Sequence, residues 1–122
     1  MSNVEIKTTE EAIKIFEDES INHGLFTENG DSKKANESYF LINKSASFLH
    51  NQKSLDLLLS LLENDNLSVR LWSAYYLLDT NNKDKALDVI SKISKGSGIV
   101  SFNAEMTLKE YNKGNLKIIY EN

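Results

Sequence analysis

The chain has no cysteine and no proline. Without cysteine there is no disulfide, no thiolate metal site and no cysteine nucleophile. Without proline nothing in the sequence forces a helix to break or kink. Basic charge is also scarce: 14 Lys and Arg stand against 18 Asp and Glu, for a net charge of −4. A duplex-binding domain needs a basic face to displace counterions, so this balance argues against a nucleic-acid partner. Arg70 is the only arginine and Trp72 the only tryptophan. No apolar run approaches the length of a membrane span. The densest, Leu55 to Leu62, is short and holds Asp56 and Ser60. The N-terminal stretch is polar and acidic with no apolar targeting core, so a cytoplasmic protein is expected. The sequons at Asn36, Asn43 and Asn66 are then chance matches.

What the chain does have is helical periodicity. Leu55 to Leu78 reads as helix, short polar turn, helix, and a weaker copy follows from Leu87 to Leu108. Leu55, Leu57, Leu58 and Leu61 align with Leu87, Val89, Ile90 and Ile93. Val69, Trp72, Ala74, Tyr76 and Leu78 align with Ile99, Phe102, Ala104, Met106 and Leu108. Paired helices repeating at this spacing are the signature of an alpha-solenoid.

At 122 residues the chain fits one domain, 1–122. Thr8 followed by Glu11 is a capping box and opens a first helix over about 9–23, which Gly24 is expected to end. Asn29-Gly30 marks a turn. Asp31 or Ser32 caps a second helix running to about His50. Further helices are predicted at about 55–63, 69–80, 83–95 and 99–112, with the tail Leu116 to Tyr120 docking on the body. The expectation is an all-α fold, a short alpha-solenoid of about six helices in three antiparallel pairs.

The central unit, Leu57-Leu58 through Leu62, then Asp65, Val69-Arg70 and Ala74, resembles a HEAT repeat. In such repeats an Asp in the turn and an Arg early in the second helix tend to pair. Arg70 beside a buried stripe needs a carboxylate, and Asp65 is placed to supply it or to cap the helix. The span from Asn36 to Leu116 resembles a small bacterial HEAT-like family of undefined function. Its closing segment is matched here by Ala104, Thr107, Leu108, Lys109, Tyr111 and Gly114. The first 35 residues lie outside the resemblance. The family brings no catalytic residues. Some members resemble toxin-immunity proteins, which implies a role in neutralising a toxin.

The candidate contact residues follow from the helix wheel. If Val69, Ser73, Ala74 and Leu77 face the core, the opposite arc of that helix holds Leu71, Trp72, Tyr75, Tyr76 and Asp79. The next unit adds Phe102, Glu105, Met106 and Lys109. Trp and Tyr are enriched at binding hot spots. A helix apolar on all sides is also what a buried central helix looks like, so burial of Trp72 stays open. The two tyrosines are expected to show a polar tip.

No chemistry stands out. His23 and His50 lack a helical partner for metal binding. The run Glu17-Asp18-Glu19 reads as a solvated face. Gly96-Ser97-Gly98 is too short for a phosphate loop. No serine sits in a nucleophile elbow. The sequence therefore points to a non-enzymatic protein-interaction module with no cofactor and no metal. Its expected partner is a protein, with a toxin as the implied one, and neither nucleic acid nor membrane. Two other readings stand beside it: a scaffold or regulatory subunit of a bacterial complex, and a HEAT-like nucleic-acid-processing enzyme.

Overall fold

Thr8 accepts a hydrogen bond from the Glu11 backbone N–H, and the Glu11 carboxylate accepts from the Thr8 N–H at 3.1 Å. This reciprocal cap satisfies two otherwise orphaned donors and starts α1, Thr9–Glu28. The computed structural model describes residues 4–121. They form five α-helices and one 3₁₀ helix, with no strand among the described residues, so the fold is all-α. The described residues divide into two compact units, 4–57 with 120–121, and 58–119.

In the first unit α1 does not stop at Gly24. It runs on to Glu28, because the αL position that ends it falls at Gly30, with φ 74°. Gly30 N–H bonds to Thr27 C=O at 3.2 Å and Asp31 N–H to Phe26 C=O at 2.9 Å, the Schellman pattern. Asp31 then accepts from Lys34 N–H and caps α2, Ser32–Asn51. This short connection turns α2 back to pack on α1. The packed face of α1 is Ala12, Phe16 and Ser20. That of α2 is unusually rich in small residues, Ser38, Ser45, Ala46 and Ser47, beside Ile42 and Leu49. Ser45 bonds back to Leu41 C=O at 2.9 Å, so its hydroxyl is satisfied inside the helix.

Tyr120 and Glu121 also belong to this unit. Residues 115–121 carry no regular secondary structure. Glu121 N–H donates to the buried Asn43 side chain at 3.0 Å, and the Tyr120 ring stacks on His50.

The segment expected as an α-helix over 55–63 is a 3₁₀ helix, Leu55–Leu61. Leu58, Leu61 and Leu62 are buried while Leu57 is 46 % exposed. Burying positions three apart is what a three-residue turn achieves. In the second unit Asn66 caps α3, Leu67–Leu77, accepting from Val69 N–H at 3.1 Å. The helix thus starts two residues earlier than the periodicity predicts and ends sooner. Past Leu77 the bonds tighten to the i, i+3 type, from Asp79 N–H to Tyr76 C=O and from Thr80 N–H to Leu77 C=O. Next come α4, Lys83–Ser94, and α5, Ile99–Asn112. The packed pairs here are α3 with α4, α4 with α5 and α3 with α5. The 3₁₀ segment contributes Leu58 to the interior of this second unit. Leu58, Val69, Ala74, Tyr76, Leu77, Ile90 and Ala104 form its fully buried core.

Candidate protein-binding face

On α5 the buried residues Ser101 and Ala104 fix which side faces inward. The remaining positions follow from about 100° per residue. Ile99, Met106, Phe102, Lys109 and Glu105 fall, in that order, within an arc of about 120°. All five are exposed, with Ile99 at 40 %, Phe102 at 55 % and Met106 at 39 %. Large apolar groups at i, i+3 and i+7 therefore form a continuous outward row. Glu105 and Lys109, joined by an ion pair of 3.8 Å, border it. That pair is mostly solvated and contributes little to stability.

The α3 residues behave differently. Leu71, Trp72 and Tyr75 are half-buried. Tyr76 is fully buried, which corrects the expectation that it lies on the outward face with a polar tip. The wheel shows why: Tyr76 stands about 40° beyond Trp72, on the side of Val69 and Ser73, and so crosses into the core. The three rings nevertheless touch. Tyr75 meets Tyr76 edge-on at 5.0 Å and Trp72 at 5.7 Å, and Trp72 lies nearly parallel to Tyr76 at 6.2 Å. A buried Tyr76 thus fixes two half-exposed rings in place. Asp79 is exposed but lies past the end of α3, so it shares no helix face with Trp72. Phe102 makes no ring contact with the three among the described residues. Ile99, aligned with the buried Val69 in the repeat, is the exposed member that periodicity misplaced.

The expected Asp65–Arg70 coupling does not form. Asp65 is exposed, and its neighbour Asn66 takes the capping role. Arg70 is half-buried, and its Nε is buried without a hydrogen-bond partner.

Two titrating groups of the first unit are shifted. Burial pushes His23 below the ordinary histidine value, and its Nδ1 lies 3.5 Å from the Thr27 hydroxyl. Burial, and secondarily the Glu121 carboxylate, raises the Tyr39 phenol. Among the described residues no three His, Asp or Glu come together to hold a metal ion. No described helix is long and apolar enough to cross a membrane. No protein-family model matches the chain, and neither the curated proteins nor the solved structures yield a match.

Proposed function

We propose that this chain is a non-catalytic protein-interaction module whose α5 row, Ile99, Phe102 and Met106, docks on a protein partner. The exposure of these three large side chains in one row is the observation that carries the reading. Exposed apolar patches with a polar border mark protein-binding surfaces. The half-exposed Trp72 and Tyr75 rings offer a second, rigid aromatic contact of the kind found at hot spots. The net charge of −4 favours a basic partner through long-range steering. Together with the HEAT-like resemblance, this makes neutralisation of a basic toxin by surface occlusion the specific form of the proposal.

The test compares the wild-type chain with Phe102→Ala and Met106→Ala as affinity baits in the source organism. Phe102 is more than half exposed, so its loss leaves the fold intact by circular dichroism. A partner recovered with wild type should be lost, or bound at least tenfold more weakly, with either variant. Equal recovery would overturn the proposal.

A further inference from the structure

Asn29 is the only asparagine in the chain that is followed by glycine. Both residues are exposed and lie in the connection between α1 and α2. An asparagine amide carbon is open to attack by the backbone nitrogen of the next residue. Glycine, with no Cβ, leaves that approach least hindered. In such an attack the Gly30 N–H gives its proton to solvent and the nitrogen bonds to Asn29 Cγ. The Cγ–Nδ2 bond breaks, and the leaving group takes a proton from solvent and departs as ammonia. Water then opens the cyclic imide at either carbonyl and leaves an aspartyl or an isoaspartyl residue at position 29. Water is the only co-reactant.

The folded turn opposes this reaction. Ring closure needs the Gly30 nitrogen and the Asn29 Cβ on the same side of the Asn29 Cα–C bond. Asn29 has ψ −2°, which eclipses the Gly30 nitrogen with the Asn29 backbone nitrogen instead. The tetrahedral Cα then holds Cβ, and Cγ with it, a third of a turn away. The nitrogen is also engaged: Gly30 N–H donates to Thr27 C=O at 3.2 Å, and Asp31 N–H to Phe26 C=O at 2.9 Å. Gly30 at φ 74° and the Asp31 cap on Lys34 N–H hold the turn from its other side. Attack therefore requires the connection to open.

We infer that Asn29-Gly30 is a conformation-gated deamidation site, protected in the folded turn and reactive once the α1–α2 connection opens. The product disfavours the turn that prevented it. A carboxylate at position 29 stands at the C-terminus of α1, where the helix dipole opposes negative charge. The last turn of α1 has no basic residue, and Glu28 and Asp31 stand on either side in sequence. The isoaspartyl form adds a methylene to the backbone ahead of Gly30, which carries the Gly30 and Asp31 N–H groups off their carbonyls. Opening is thereby recorded in the covalent chain. The site lies in the first unit and shares no residue with the α5 row.

The test incubates the full chain in mildly alkaline buffer, with and without denaturing urea. Proteolytic digestion and mass spectrometry follow the mass gain at position 29. The rate should be at least tenfold lower in the folded chain, which corresponds to at least about 1.4 kcal/mol of opening free energy. Asp31→Ala, which removes the cap of α2, should deamidate faster than wild type when folded and at the same rate in urea. The isolated isoaspartyl form should unfold at lower urea than wild type. Equal rates for folded and unfolded wild type, or a faster-reacting asparagine elsewhere in urea, would overturn the inference. So would equal rates for folded wild type and Asp31→Ala, or an unchanged urea midpoint of the isoaspartyl form. Should Asp31→Ala lose its helical circular dichroism, the folded and unfolded wild-type rates decide alone.

Discussion

Tyr120 lies flat against His50, with ring centroids 3.9 Å apart and the planes within 5° of parallel. The two residues are seventy positions apart in sequence, and both belong to the first unit. The stack, with the Glu121 N–H bond to Asn43, ties the chain end to α2. Tyr120→Ala should lower stability to urea by about 0.5–1.5 kcal/mol, the range for an aromatic pair, plus its lost buried area. An unchanged midpoint would mean the tail contributes nothing.

At the start of α3 the cap is Asn66. Asn66→Ala should cost about 0.5–2 kcal/mol in chemical unfolding. Asp65→Ala, one residue earlier and exposed, should stay within about 0.5 kcal/mol of wild type. The opposite ranking would restore the Asp65 cap.

Which features the sequence made legible follows from how local each one is. The capping box at Thr8 and Glu11 is written within four residues, and the structure forms it. The all-α class follows from apolar spacing and holds in all six helices. Gly24 was a false stop: a glycine ends a helix only where the chain turns left-handed, and Gly30 takes that conformation instead. The 3₁₀ winding of Leu55–Leu61 was hidden because a run of leucines satisfies either period. In the candidate site, Phe102, Glu105 and Lys109 are exposed as expected. Tyr76 is buried because a small difference in angle decides the side of a helix that is apolar nearly all round. Arg70 without Asp65 depends on side-chain placement, which no spacing encodes.

Lys53 closes α2 in the left-handed region, with φ 56°, and Ser54 N–H bonds to Leu49 C=O at 2.8 Å behind it. At Gly30 and Gly114 the same conformation is filled by glycine. A side chain there is strained by about 1–2 kcal/mol. Lys53→Gly should therefore raise the melting temperature, by up to about 1 kcal/mol of stability once glycine's greater freedom in the unfolded chain is deducted. A lower melting temperature would contradict this account of the turn.

His23 makes stability depend on pH. Its folded pKa lies below the ordinary value of 6.5, so the unfolded chain takes up the proton first as the solution is acidified. The stabilising contribution is full above about 6.5 and declines as pH falls below it. Urea midpoints from pH 7.5 to 5 should fall less steeply for His23→Gln than for wild type. Parallel curves would show that His23 is not the group responsible.

The central claim is that the outward row of α5 meets a protein partner. Its most direct measurement is site-specific photo-crosslinking in the source organism. A benzophenone side chain replaces Phe102 in one culture and the exposed Lys95 in another. The account predicts one defined protein adduct from position 102, absent from position 95 and suppressed by Met106→Ala. No adduct at 102, or the same products from both positions, would contradict it.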